Sequence, residues 1–310
     1  MYNFRLGDDS GITPISGHIA AVPLSGVTQP TDTPAPTRRI IASQIIPKQQ
    51  GPISMSPEAS DASSFLRPFW NRLAIPPWLL SLLILAVLAA ARFYSAFGPP
   101  QARILFLLHI LVMWTLPFLF LTHQGRRGIG LRRQGITPVA LVLCSLAGML
   151  GGLFIFWIGT ALYGDSPDNW CVSIRDSFQL NQMLAVMSPA SAFAVIALLT
   201  MSFTPVGEEF LFRGLIQKSF ALRWNAVIAI LVNGFAYGLI HLLHVHGLWH
   251  DAAGFHFRLV SGALVVILLA GLGAAFTLCR LWTGSLWCAV VAHAACNLAM
   301  ISAIFLHFVH

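Results

Sequence analysis

The sequence predicts an all-α membrane protein, a polytopic bundle of about eight transmembrane helices preceded by a disordered N-terminal tail. Of its 310 residues, 56% are hydrophobic and 9% are charged, whereas soluble domains carry about 25% charged residues. Apolar runs of about 20 residues recur, and each could cross a bilayer as a helix. Alternating segments of about ten residues, which would indicate an outer-membrane barrel, are not visible.

The first 72 residues have a different composition from the rest. Segments such as PLSGVTQPTDTPAPTRR are rich in Pro, Ser and Thr and show no periodicity. Such a segment cannot bury enough apolar surface to fold alone, and it lacks the apolar centre of a signal peptide. We therefore expect a disordered tail over 1–72 and a transmembrane helical domain over 73–310, with Met55 as an alternative start.

From residue 73 onward, apolar runs follow one another at short intervals, and the fifth is short and charged. The predicted helices span about 74–96, 103–122, 138–163, 182–203, 206–221, 224–244, 258–279 and 285–308.

Charge in the loops predicts how these helices are oriented. The segment HQGRRGIGLRRQGI, 123–136, carries four arginines, and the positive-inside rule places it in the cytoplasm. The segment 164–182 has more acids than bases and is expected on the other side. An even number of helices then puts both termini in the cytoplasm. The composition, rich in Ala, Leu and Trp, favours a bacterial cytoplasmic membrane.

Net charge and cysteine content exclude several other classes of protein. The net charge is +7, but the arginines cluster at helix ends, which favours membrane orientation over nucleic-acid binding. The five cysteines form no C-x-x-C pair and indicate neither a disulfide framework nor a zinc knuckle. The expected partners are the lipid bilayer and a membrane-associated peptide or protein substrate. No oligomeric state is predicted.

The stretch TPVGEEFLFRG, 204–214, puts three ionisable side chains between apolar runs. A charge at the bilayer centre costs about 2.5–3.5 kcal/mol on insertion scales, so these side chains need a reason to be there. On a helix, Glu209 and Arg213 can form an ion pair four residues apart, whereas Glu208 points about 100° away. The pattern predicts a supporting pair and a separate carboxyl, Glu208, that acts as a general base or acid.

Two downstream helices carry further polar residues at helical spacing. His241 follows Tyr237 by one turn, and His293 and Asn297 lie on one face of the last helix. Around Glu208 this set suits hydrolysis, because a carboxylate activates water, one imidazole moves a proton, and a second imidazole with an amide stabilises an oxyanion. Two histidines and a carboxylate are also a possible zinc set.

These residues resemble the three motifs of the CPBP family, intramembrane proteases that include the CAAX prenyl endopeptidase and bacterial relatives of the Abi type. The family motifs E-E-x-x-x-R, F-x-x-x-H and H-x-x-x-N correspond here to 208–213, 237–241 and 293–297. The resemblance covers about 183–305 and implies a protease core there. Tyr237 stands where the family usually has Phe, which keeps the aromatic ring and adds a hydroxyl.

The resemblance also implies a role for each motif residue. Glu208 and His241 activate the attacking water, and His293 and Asn297 form the oxyanion site. The other motif positions support the geometry: Glu209, Arg213 and Tyr237. The implied mechanism is glutamate-dependent and needs no metal, in keeping with the lack of an H-E-x-x-H pair. We therefore expect no cofactor, with zinc as the alternative.

The sequence thus predicts an intramembrane endopeptidase whose active site opens towards the cytoplasmic side. Processing of peptide pheromones or bacteriocins fits the family better than prenylated substrates in a bacterium. Two alternatives stay open. One is a non-catalytic scaffold or a bacteriocin self-immunity protein with the same fold. The other is a proton-coupled transporter that uses the same carboxylate and histidines as a relay, although no internal repeat is visible.

Overall fold

The computed structural model describes residues 64–243, 248–251 and 254–308. In chain order its helices are α1 (Pro68–Asn71), α2 (Pro77–Phe97), α3 (Ile104–Phe120), α4 (His123–Gly128), α5 (Pro138–Tyr163), α6 (Trp170–Ser177), α7 (Leu180–Leu184), α8 (Pro189–Glu209), α9 (Ala226–Ile240), α10 (Leu259–Thr283) and α11 (Leu286–Phe308). Between α9 and α10, β1 (Leu248–Asp251) pairs antiparallel with β2 (Gly254–Phe257).

The helical membrane architecture predicted from the sequence is confirmed. Within the described residues, six helices are long and apolar enough to cross a membrane, and a shorter apolar helix, α3, accompanies them. Most of their outward side chains are large and apolar, such as Leu150, Leu198 and Ile267, which are at least 65% exposed. In water such a surface would be unfavourable, so the exposed side chains indicate that lipid is the solvent.

One long helix replaces the predicted fourth and fifth helices. Helix α8 continues without a break through a π-helical segment, Phe210–Ile216, and a final turn, Gln217–Ala221. The predicted helices over 182–203 and 206–221 left a break that contains Pro205, a residue type that removes a backbone hydrogen bond inside a helix. Pro205 is buried inside the continuous helix instead, as membrane helices tolerate when neighbouring helices pack around them.

The bundle has two ends of opposite character. At one, which we call the arginine end, the loop 121–137 meets the turn between α10 and α11, where Arg132 Nε donates to Gly284 O at 3.1 Å. At the other, the acidic end, the connection 164–188 meets the start of α10, where Arg258 Nε lies 3.2 Å from Asp168 Oδ1.

The helix path corrects the predicted placement of the termini. That prediction depended on an even number of helices, and the continuous α8 removes one. Residues 64–66 lie at the arginine end, where Thr122 N donates to Phe65 O. His307 lies at the acidic end, with its Nε2 3.6 Å from Asp165 Oδ1. The two ends of the described chain therefore lie at opposite ends of the bundle.

The predicted boundary between tail and domain is also corrected. Residues 1–63 lie outside the described residues, but residues 64–72 belong to the folded domain. Leu66 is buried and forms an isolated bridge with Leu121, and Arg67 N donates to Phe120 O at 2.9 Å. The burial of Phe65 and Leu66 adds apolar contacts that favour this docking.

Small residues let α5 approach α11 closely along the centre of the bundle. A Cβ atom added at Gly148 would lie 1.8 Å from Ala292 O, and one at Gly152 would lie 2.4 Å from Cys296 O. Such backbone contact is typical of membrane helices, which associate through close packing. It holds α11, which carries two of the predicted site residues, in the centre.

We expect Gly148→Ala to lower the thermal unfolding midpoint of the detergent-purified protein, because overpacking a tight core costs about 1–3 kcal/mol. Gly271→Ala is the matched control. It also lies in a membrane helix, but a Cβ there would meet nothing within 4 Å, so the midpoint should hold or rise. Equal midpoints for the two variants would contradict the close α5–α11 contact.

Candidate active site

Three helices bring the predicted motif residues together in the centre of the bundle. Glu208 and Glu209 end the α-helical part of α8, and the π-helical segment begins directly after them. A π-helical turn widens the helix and is frequent at functional sites. Helix α9 ends at the residue before His241, and α11 carries His293 in its second turn.

The carboxylate of Glu209 joins two of these helices. Its Oε1 accepts a hydrogen bond from Arg213 Nη1 at 2.9 Å and another from His293 Nδ1 at 2.8 Å. Glu209 and Arg213 side chains are both 0% exposed, so their charges are balanced locally and shielded from lipid. The predicted pair is present, and the bond from Glu209 to His293 is a link that sequence spacing did not predict.

The guanidinium of Arg213 is held between aromatic rings. It lies 4.3 Å from the centroid of the Tyr237 ring and 5.1 Å from that of Phe276, distances at which a cation is attracted to the ring face. Gly273 makes room for this arrangement, because a Cβ there would lie 3.0 Å from Arg213 Nη2 and 3.2 Å from Tyr237 Cδ1.

Glu208 points away from this pair, towards two imidazoles. Its Oε2 lies 3.7 Å from His241 Nε2 and 3.8 Å from His293 Nε2. Both distances exceed a direct hydrogen bond and are suited to a bridging water. Its side chain is 17% exposed, and no described protein group donates a hydrogen bond to Oε2.

The outer hydrogen bonds of both imidazoles determine what each Nε2 can do. His241 Nδ1 lies 2.7 Å from Tyr237 O, and because a carbonyl only accepts, Nδ1 carries a proton. His293 Nδ1 donates to the Glu209 carboxylate in the same way. In the neutral form of each ring, Nε2 is then an acceptor facing Glu208, and a second proton converts it into a donor.

Asn297 and Tyr237 line the same cavity as Glu208. Asn297 Nδ2 donates to Thr200 O at 2.9 Å, which ties α11 to α8, and the residue lines the same cavity as Glu208. Tyr237 is buried, and its hydroxyl lies 3.4 Å from His293 Nε2. The hydroxyl that distinguishes this chain from the family motif therefore finds its partner inside the site.

Glu208 and both histidines lie at the base of a cavity of about 670 Å³. The cavity extends to the acidic end, where Ser177 and Phe178 line it, and no residue of the loop 121–137 does. The prediction that the site opens on the side of the arginine-rich loop is therefore wrong. The continuous α8 sets Glu208 nineteen residues from its start at the acidic end, and His241 lies at the acidic end of α9.

Several cavity residues were not identified as site residues from the sequence. Arg92 of α2 and His109 of α3 line the cavity, and the Arg92 guanidinium lies 4.2 Å from the centroid of the Phe106 ring. Phe276 stacks on His293 with ring centroids 5.0 Å apart. These positions lie in ordinary apolar runs, so spacing alone carried no signal for them.

The residues converging on Glu208 do not form a metal-binding cluster. In the described parts of the chain, no group of three or more His, Cys, Asp or Glu side chains could hold a metal ion. The arrangement suits proton transfer, because the Glu208 carboxylate faces the Nε2 atoms of two imidazoles. The Nδ1 atom of each ring is already engaged in a hydrogen bond.

We expect Glu209→Gln to destabilise the protein strongly, because it leaves Arg213 buried without its counter-ion, a loss of about 3–5 kcal/mol. Glu208→Gln is the matched control at the adjacent residue. It removes a carboxylate that accepts no protein hydrogen bond at Oε2, so the thermal midpoint in detergent should not fall. A similar fall for both variants would contradict the separation between a supporting and a reactive carboxylate.

Comparison with known proteins identifies the family of this segment. A family model described as Rce1-like, type II CAAX prenyl endopeptidase Rce1-like, matches residues 190–299, which contain all three motifs. No curated protein matches the chain, and no solved structure matches it. The predicted resemblance is confirmed: residues 190–299 of this multi-pass membrane protein match the Rce1-like CAAX protease family model.

Proposed function

We propose that the chain is an intramembrane endopeptidase that hydrolyses peptide bonds of membrane-associated substrates. The observation that carries the proposal is the convergence of Glu208 Oε2 with the Nε2 atoms of His241 and His293, at 3.7 and 3.8 Å, at the base of one cavity. The match to a family of endopeptidases supports the same reaction class. The family description names CAAX prenyl substrates, and our proposal for this chain is the broader class of membrane-associated peptides.

Glu208 is the general base in this proposal. A water molecule at about 2.8 Å from Glu208 Oε2 and from His241 Nε2 fits beside these two atoms, which lie 3.7 Å apart. The carboxylate takes one proton of this water while its oxygen attacks the scissile carbonyl carbon. His241 holds the water by accepting its other hydrogen, a role suited to an Nε2 whose opposite nitrogen donates to Tyr237 O.

His293 and Asn297 are the proposed oxyanion donors. As the water oxygen bonds to carbon, the carbonyl π electrons move to its oxygen, which needs a donor. His293 serves in the form with both nitrogens protonated, with Nδ1–H on Glu209 and Nε2–H on the oxyanion. Asn297 has a second N–H beside the one bonded to Thr200 O. When the C–N bond breaks, Glu208 returns its proton to the leaving amine.

The proposed reaction needs no metal or other cofactor. Glu208 supplies the base and the two imidazoles position the water, which are the tasks that zinc would otherwise perform. We also propose the cytoplasmic membrane of a bacterium as its location. The proposed partners are the lipid bilayer and a membrane-associated substrate, and nucleic acid is not among them.

Glu208→Gln should abolish cleavage of a membrane-anchored peptide library by the detergent-purified protein, because loss of a general base typically costs about 10²–10⁴-fold in rate. Asp176→Asn is the matched control, since this carboxylate lies at the surface beside Arg175 and should leave the rate unchanged. Cleavage that survives Glu208→Gln would reject Glu208 as the base. Absence of cleavage by folded wild-type protein would favour the scaffold.

Chelation tests the metal-free mechanism. We expect the cleavage rate to be unchanged after dialysis against a strong chelator, and elemental analysis to find zinc well below one equivalent. An activity that is lost on chelation and restored by zinc would establish a metalloprotease instead.

A further inference from the structure

Tyr237 lies between the two imidazoles of the site and contacts both of them. Its backbone oxygen lies 2.7 Å from His241 Nδ1, and its hydroxyl lies 3.4 Å from His293 Nε2. The residue is buried and lines the same cavity as Glu208. The family motif usually has Phe at this position, so the hydroxyl has no part in the mechanism that the resemblance implies.

The ring of Tyr237 is held from several directions, which fixes where its hydroxyl points. The Arg213 guanidinium lies 4.3 Å from the ring centroid, and the Phe212 ring packs edge-on with its centroid 5.2 Å away. Helix α10 approaches so closely that a Cβ at Gly273 would lie 3.2 Å from Tyr237 Cδ1. A hydroxyl on such a ring is a preorganised donor, because no rearrangement is needed when negative charge develops nearby.

The separation between the Tyr237 hydroxyl and His293 Nε2 suits two donors that share one acceptor. At 3.4 Å it is longer than most hydrogen bonds donated by a hydroxyl, which measure about 2.5–3.0 Å. Two donor atoms at this separation can each lie about 2.8 Å from one oxygen beside them. The hydroxyl therefore loses little when its hydrogen turns from the imidazole to such an oxygen.

The resting site gives this hydroxyl a single weak partner. Among the described residues, His293 is its hydrogen-bond partner, and Glu208 Oε2 receives no hydrogen bond from it. A buried hydroxyl with one long contact destabilises a fold relative to Phe, which buries the same ring without a polar atom. Stability therefore does not account for the hydroxyl, whereas an acceptor that arrives with the substrate does.

We propose that the Tyr237 hydroxyl is a third oxyanion donor, beside His293 Nε2 and Asn297 Nδ2. This inference rests on the proposed endopeptidase function. When both nitrogens of His293 are protonated, Nε2 no longer accepts the hydroxyl hydrogen, which then turns to the carbonyl oxygen as negative charge develops there. The hydroxyl keeps its proton throughout the reaction. No covalent bond to Tyr237 forms or breaks.

Tyr237→Phe removes this oxygen alone and tests the proposal with a peptide that the wild-type protein cleaves. The value of kcat should fall by about 10²-fold, the lower end for loss of one oxyanion donor, because His293 and Asn297 remain. KM should change little, since the lost bond forms in the transition state. Tyr94→Phe is the matched control. Tyr94 is 53% exposed and does not line the cavity, so both constants should stay at their wild-type values.

Two further measurements separate donation from a structural role. The thermal midpoint of Tyr237→Phe in detergent should equal or exceed that of the wild type, because the variant buries no hydroxyl. Replacing Tyr237 by fluorotyrosine makes the hydroxyl a stronger donor and a weaker acceptor, so kcat should rise above the wild-type value. A lower midpoint for Tyr237→Phe would assign the hydroxyl to the fold. A fall in kcat with fluorotyrosine, at an unchanged midpoint, would mean that the hydroxyl accepts from His293 and positions it. Either result would overturn the proposal.

The two proposals fail in different ways. Cleavage that Glu208→Gln abolishes and Tyr237→Phe leaves at the wild-type kcat would keep the endopeptidase and reject the third donor. A rise in KM at constant kcat for Tyr237→Phe would also reject it, because the hydroxyl would then bind the substrate and the transition state equally. Absence of cleavage by the folded wild-type protein would reject the endopeptidase and, with it, the role of Tyr237.

Discussion

The rest of the site depends on the two interactions made by the carboxylate of Glu209. One oxygen, Oε1, bonds to Arg213 within its own helix and to His293 on α11. A lone charge at this depth would cost several kcal/mol, so each of these groups is tolerated because the others are present. The ring of Tyr237 and the missing Cβ of Gly273 complete the enclosure of the guanidinium. The pair therefore positions an imidazole as well as balancing a charge.

Adjacent carboxylates have different tasks because helix geometry turns them apart. Glu209 is fully buried and saturated by strong donors at Oε1, whereas Glu208 faces the cavity with partial exposure and two imidazole nitrogens beyond direct bonding distance. A carboxylate paired with a buried guanidinium is a poor base, since taking a proton would remove the counter-ion of Arg213. Glu208 faces a cavity instead, and protonating it leaves no such cation without its counter-ion. In the proposed mechanism, the same residue type thus supplies scaffold and chemistry at consecutive positions.

Helical spacing could predict the short-range contacts of this site. It could predict little about contacts between residues far apart in the sequence. The Glu209–Arg213 pair and the direction of Glu208 follow from helical periodicity alone. The bond from Glu209 to His293 joins residues far apart in sequence, and the fit of Gly273 against Arg213 depends on how α10 packs. The error at Pro205 had a larger effect, because splitting one helix reversed the inferred position of everything after it.

The position of the cavity is consistent with what hydrolysis in a membrane requires. Each bond broken consumes one water, yet an apolar substrate partitions into lipid, so the reactive carboxylate needs contact with both phases. Glu208 has this contact because its cavity reaches the polar connection near Ser177 and also the lipid-exposed leucines of α3 and α8. The loop 121–137 covers the opposite end of the bundle, so water and lipid both meet the cavity at the acidic end. In the proposed reaction, one opening would admit both the water and the peptide.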